Sequence, residues 1–469
     1  MLVEELKSVY RITDFRLLYR YYHTASSLNT YLMSKGALDN IFEKKPIELV
    51  NFFKLEDNFT RAKVLSRFMQ YQEAADAYEK DIESEKKRYG EETDHLYIAY
   101  SLNNLGSTLY KLSHYDKALA KYQESLEMKR RIYKGDHPDI AGSLNNLGNA
   151  FLKLDSFEKA LERYEESLEM RRRIYKGDHP DIASSLMNIG ITLTSVGSYS
   201  EALENHKKSL EMKRRIYKGD HPDIASSLMN IGVTLTSVGS YSEALEDHKE
   251  SLEMRWRIYK GDHPTVADSL NNIGNILGRL GRYEEALQYQ KESLSMMRRI
   301  HKGDHVYIAS SLKNVGHTLE SLGRYAEALN YFQQSLEMMK KVYPENHPEI
   351  KVVKKNVFKI KDYAEIEKLI MNSFKKLKLS DSCADATLMI ELKKSQEEKL
   401  FSFCKTHFRL DKEEMKELEN GKYCIPLDGE SISILRKKQI SEELEVKEEK
   451  TWVSRISDEA GIKSAGLGK

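Results

Sequence analysis

The stretch YKGDHPDIASSLMNIG is written twice, at Tyr175–Gly190 and at Tyr217–Gly232, 42 residues apart. The pair Asp-His recurs at the same spacing, at Asp94, Asp136, Asp178, Asp220, Asp262 and Asp304, and a worn seventh copy reads ENHPEI at Glu345–Ile350. A fixed period of this length marks stacked supersecondary units. Each period has two halves. In the first, Leu102, Leu105 and Leu109 step by three and four; in the second, Tyr115, Ala118, Leu119, Tyr122 and Leu126 do the same. Both are apolar stripes at helical period. A break such as LGRLGRYEEA (Leu277–Ala286) separates the halves, with Gly281 ending the first helix. The second helix closes on bases, Lys129, Arg130 and Arg131, which suit the negative end of its dipole. Gly135 stops it, and Asp136, His137 and Pro138 start the next, with Asp139 placed for a capping box on Asp136. A helical hairpin of this kind cannot bury its stripes alone, so neighbours must stack into an α-solenoid.

Composition agrees. The 469 residues include 8 prolines, few enough for a mostly helical chain. Charged residues are 31% of the total yet nearly cancel, at +1, so no whole-chain basic field points to nucleic acid. The N-terminal stretch is charged throughout, and no run of about 18 apolar residues occurs. A cytoplasmic protein without a membrane partner is expected. The three cysteines, Cys383, Cys404 and Cys424, form no disulfide framework. Cys404 and His407 have a metal-like spacing but no second ligand pair, which reads as a buried thiol beside a surface histidine. Half of the 14 histidines sit in the interrepeat loop, from His95 to His347. Stacked helices lie roughly 8–10 Å apart, too far for neighbouring imidazoles to share an ion, so these histidines are expected to pack the loops. No phosphate loop, nucleophile elbow or zinc-protease helix appears. No catalytic residue, metal or cofactor is expected, and no enzyme.

The pattern "LG" followed by G-x-Y-x-E-A, as in Ile189–Gly190 with Gly197, Tyr199, Glu201 and Ala202, resembles the tetratricopeptide repeat (TPR). SLNNLG with KGDHPDIA is similar to the 42-residue TPR of kinesin light chains. The resemblance covers about Tyr89 to Pro348 in six units. It departs at the sixth small position, where Ser125 and Ser167 replace Ala. It implies an all-α, right-handed TPR superhelix whose first helices line a concave groove. On that groove side one position never varies: Asn104, Asn146, Asn188, Asn230, Asn272 and Asn314. An amide can bond the N–H and C=O of an extended peptide together. These residues therefore resemble the asparagine ladder of peptide-binding TPR arrays; the other reading is that each bonds only within the array. Met187, Ile191, Met229 and Val233 replace polar residues of the flanking copies and mark a central apolar anchor.

Four segments are expected. Residues 1–56 form a helical cap or small module, 57–348 the array, 349–378 capping helices, and 379–469 an extension, partly disordered, with a β-hairpin about Asp428–Gly429. Pro426 should confine its strand to an edge. The expected function is a scaffold or adaptor binding extended segments of other proteins. The alternatives are a kinesin-light-chain-like cargo adaptor, or a regulatory array carrying a small enzymatic or signalling C-terminal domain.

Overall fold

The computed structural model describes residues 58–67, 69–90, 93–377, 379, 385–392, 396–418 and 422–444. The expectations for residues 1–56, for Cys383 and for the segment beyond 444 lie outside them. The chain forms two compact units, residues 1–196 and 197–469. The first holds helices α1 (Asn58–Arg67), α2 (Tyr71–Tyr89), α3 (Leu96–Lys111), α4 (Tyr115–Tyr133), α5 (Pro138–Lys153), α6 (Phe157–Ile174) and α7 (Pro180–Val196). The second holds α8 (Tyr199–Ile216), α9 (Pro222–Val238), α10 (Tyr241–Tyr259), α11 (Pro264–Arg279), α12 (Tyr283–Ile300), α13 (Val306–Ser321), α14 (Tyr325–Val342) and α15 (Pro348–Leu377). A small module follows in that unit: β1 (Ala386–Glu391), α16 (Glu397–Phe408), β2 (Lys416–Leu418), β3 (Lys422–Leu427) and α17 (Gly429–Leu444).

Within five of the hairpins one glycine sets the approach of the two helices. A Cβ on Gly106 would lie 2.8 Å from the Tyr122 ring, and one on Gly148 2.6 Å from Tyr164. Gly232, Gly274 and Gly316 meet His248, Gln290 and Phe332 in the same way. One turn further on, a buried serine ties the pair. Ser125 Oγ donates to Ala99 O at 2.6 Å, Ser167 to Ala141 at 2.8 Å, and Ser251, Ser293 and Ser335 to their own first helices at 2.7 Å. This accounts for Ser where the usual repeat has Ala: the hydroxyl is buried but bonded.

The joint between repeats departs from the expected cap. The N-cap is His137, not Asp136; its Nδ1 accepts the Asp139 N–H at 3.2 Å, and His95, His179, His221, His263, His305 and His347 cap in the same way. Each of these rings also stacks on the aromatic residue ending the helix before it, as His137 does on Tyr133 at 3.5 Å. Asp136 is thereby released to bind Arg173, 37 residues on, through two bonds of 2.6 and 2.9 Å. Asp94–Arg131, Asp220–Arg257 and Asp262–Arg299 repeat the arrangement. These pairs are exposed, so they fix loop register more than they stabilise.

After α15 the module has sheet order β1-β3-β2, all antiparallel. Where capping helices were expected, Pro348–Leu377 make one helix. The hairpin of the extension is β2–β3; Asp428 instead caps α17, its Oδ1 accepting the Ser431 N–H at 2.7 Å. An N-cap aspartate followed by Gly429 competes with a turn, and the helix wins here. Pro426 lies on the central strand, not an edge. It sits beyond the end of β2, which pairs only as far as Cys424, so β3 has one neighbour there and the missing N–H is tolerated. His407 is not a surface residue: it stacks on Phe403 at 4.3 Å and fills the space over Gly323 of the α13–α14 turn. Lys438 donates to Gly323 O and to Glu367, both at 2.9 Å, so the module seals the last hairpin.

Two outcomes check this packing. Gly148→Ala should cost about 1–3 kcal/mol in denaturant melts, because Tyr164 is fully buried and cannot withdraw. His248 is 1% exposed, its Nδ1 has no partner, and burial holds its pKa down at about 4. An unfolded histidine titrates near 6.5, so the unfolded state gains protons first as pH falls. Stability contributed by neutral His248 is complete above about pH 6.5 and is lost toward pH 4, by roughly 1–3 kcal/mol. His248→Gln, the occupant used at Gln290, should flatten that part of the pH–stability curve; an unchanged slope would refute the assignment.

Candidate functional site

The first helix of each repeat carries the candidate surface. All six ladder asparagines are half-buried on it. In the first unit, Asn146 Nδ2 donates to Asn103 Oδ1 at 3.1 Å and Asn188 Nδ2 to Asn145 Oδ1 at 2.8 Å. In the second, Asn314 Nδ2 donates to Asn271 Oδ1 at 2.9 Å. In these three copies the invariant amide reaches back one repeat and is orientated by its neighbour; 43 residues before Asn230 and Asn272 stand Met187 and Met229 instead. One N–H is used in each of these bonds, and the amide has a second N–H and an acceptor oxygen besides. Asn356, in α15, is a seventh member at the same period, half-buried, with Nδ2 3.1 Å from His317 Nε2. Adding 42 to 314 finds it, although the copy around it is worn.

The four apolar positions separate. Met187 is buried at 6% exposure, Met229 and Ile191 are half-buried, and Val233 stands open at 44%. The polar counterparts of Ile191 and Val233 serve the hairpin: Tyr164 Oη donates to Asn149 Oδ1 at 2.7 Å, and Gln290 Nε2 to Asn275 Oδ1 at 3.1 Å, whereas those of Met187 and Met229, Asn145 and Asn271, accept from the ladder amides. Where the inner residue becomes Ile191 or Val233, the partner position becomes His206 or His248, which no longer needs an acceptor there. The covariation links each inner residue to the one 15 positions later.

A row of buried cations was missed. Lys129 was expected as a base complementing the helix dipole; it is 3% exposed, and Arg171, Lys213 and Arg255 are buried like it. Lys129 Nζ donates to Ser143 Oγ at 2.8 Å, Arg171 Nη1 to Ser185 Oγ at 2.8 Å, Lys213 Nζ to Ser227 Oγ at 3.1 Å, and Arg255 Nη1 to Ser269 Oγ at 2.7 Å. Burial holds all four below their usual pKa range. Among the described residues none makes a carboxylate ion pair. Arg255 Nη2 also touches Met229 Sδ at 3.5 Å, which brings positive charge directly beneath the inner face. The 42-residue recurrence of Lys or Arg three residues after each Leu of SLEM carried the signal.

In the second unit the surface ends in a cleft of about 480 Å³ between α13, α15 and α16. Glu320 lies on its wall, 2.7 Å from Lys359 and 3.5 Å from His317, with Tyr363 and Thr406 opposite. Among the described residues no cluster fits a metal ion, and no helix is long and apolar enough to cross a membrane. Cys404 is a buried thiol, pushed up to about 12 by desolvation, and offers no nucleophile.

No curated protein matches the chain in sequence. Among solved structures it is similar to BtubC (BKLC) from P. vanneervenii, at 17% identity over 50% of this chain and 94% of that one, TM-score 0.44. It is also similar to a Rap protein complexed with competence and sporulation factor, at 16% identity over 72% and 92%, TM-score 0.44. A tetratricopeptide repeat protein from Parabacteroides merdae matches at 12% identity over 64% and 96%, TM-score 0.43. The family model of the tetratricopeptide repeat matches residues 97–173, 139–215, 181–257 and 265–341, together just over half of the chain. With the hairpins, their glycine contacts and the repeated joints already in place, the chain belongs to the tetratricopeptide repeat family.

Proposed function

We infer that the protein is a scaffold or adaptor that holds extended segments of other proteins along the first-helix faces of its repeats. In this reading it works by binding and not by catalysis. One observation carries it: an asparagine stands at the same half-buried inner position in all six clear repeats, and in three of them, Asn146, Asn188 and Asn314, a neighbouring amide orientates it. Polar side chains held on an accessible face through otherwise diverging copies serve recognition more often than packing. Main-chain recognition by amides ignores sequence, so specificity would come from the residues between them. In the second unit those include open Val233 and half-buried Met229, suited to an apolar side chain.

The test uses a peptide enriched from a phage library of unstructured segments and titrated against the full chain. Asn272→Ala with Asn314→Ala should weaken it about 5- to 150-fold, or about 1–3 kcal/mol for two main-chain contacts. The melting curve should hardly move. Failure to enrich any peptide, or earlier melting with unchanged affinity, would assign the amides to the array alone.

A further inference from the structure

Helix α15 opens as the first helix of a seventh repeat. Counting 42 residues on from α13, Ile308, Val315 and Thr318 become Ile350, Val357 and Ile360, which still pack into the core of the repeats before them. The other buried face is rewritten. Ala309, Leu312, Gly316 and Leu319 are buried in the sixth repeat, Ala309 accepting from Ser335 and Gly316 lying under Phe332 of α14. Their counterparts are Lys351, Lys354, Phe358 and Lys361, all exposed, with Phe358 at 83%. Lys355, also exposed, joins them. At 100° per residue these five side chains share a wedge of about 120°.

Neighbouring acids are already engaged: Glu349 by Lys313, Glu320 by Lys359 and Asp362 by Lys399. Among the described residues, no acid pairs with Lys351, Lys354, Lys355 or Lys361. A second helix cannot cover the face, because the hairpin contact needs glycine where Phe358 stands: even a Cβ on Gly316 would meet the Phe332 ring at 2.8 Å. A face meant only to be solvated would mix signs and carry no protruding ring. This one carries four lysines around a single exposed aromatic, and the acids that follow on the same side, Asp362 and Glu365, are held by Lys399 and Gln396.

We propose that this face of α15 docks onto an anionic membrane surface, with the lysines at the level of the lipid phosphates and Phe358 inserted between headgroups. The wedge offers no arginine or amide to read base edges and no groove for an extended strand, which favours a planar anionic partner over nucleic acid or an acidic peptide. It departs from the expectation of no membrane partner, which rested on whole-chain charge and the lack of an apolar span; neither senses a local patch.

The full-length protein is sedimented with vesicles of phosphatidylcholine alone and with vesicles that also contain phosphatidylserine, at low and high salt. Binding is expected only to the phosphatidylserine vesicles and is lost at high salt. Lys351→Glu with Lys354→Glu and Lys361→Glu should lower it about 100-fold, at roughly fivefold or more per lysine. Phe358→Ser should lower it about tenfold while the salt dependence remains. Both variants alter exposed side chains, and unchanged melting confirms that they fold. The proposal is overturned if the wild type ignores phosphatidylserine vesicles or if neither variant weakens binding. It is equally overturned if a DNA duplex or a poly-glutamate peptide binds this face more tightly than the vesicles do.

Discussion

In five of the hairpins the two helices lie so close that one of them can have no side chain at the contact. The glycine at 106, 148, 232, 274 and 316 supplies that gap, and a large side chain from the second helix fills it. The serine one turn on can then reach a first-helix carbonyl, and the buried hydroxyl is satisfied. The identity of the filling residue propagates outward. A tyrosine or glutamine extends through the hairpin to an inner-face asparagine, whereas a histidine stops short and permits an apolar inner residue. The binding surface is therefore set partly from behind, by what rests on glycine.

The same contact explains where the hairpins stop. At the seventh copy phenylalanine replaces glycine, no second helix can follow, and the positions that would have faced it become lysines. The chain turns instead to a small three-stranded module, which clamps the last turn through His407 and Lys438, with Glu367 of α15 bonded to both Ala326 N–H and Lys438. The interior of the array is also unusual in charge. Four cations are buried against serine hydroxyls and main-chain carbonyls without a carboxylate, so positive potential lies close under the inner face.

Periodicity made the helices, the hairpins and the ladder positions legible, because a stripe at period 3.6 repeated every 42 residues has few structural solutions. What periodicity does not carry is the choice between chemically similar partners. Asp136 and His137 both precede a helix, and either can cap it; the stacked Tyr133 ring settles the matter by positioning the imidazole, which frees the aspartate for Arg173. Lys129 and Arg131 are both bases at a helix end, yet one is buried against Ser143 and the other pairs with Asp94 at the surface, a difference of two residues on a helix. The role of Asn149 is not legible in the sequence, because its bond to Tyr164 crosses the hairpin and leaves no local trace. In the extension, Asp428–Gly429 fits a turn and a helix start equally well until the following side chains find a core on α15 and the sheet.

The central claim is that inner-face amides meet the main chain of a bound segment. Selective labelling of asparagine side chains makes those amides visible one by one in a nitrogen–proton correlation spectrum. On adding a bound peptide, the side-chain resonances of Asn146, Asn272 and Asn314 should shift and their protons should exchange more slowly, because each gains a main-chain partner. If they stay in place while resonances elsewhere move, the amides belong to the array and the segment binds on another surface.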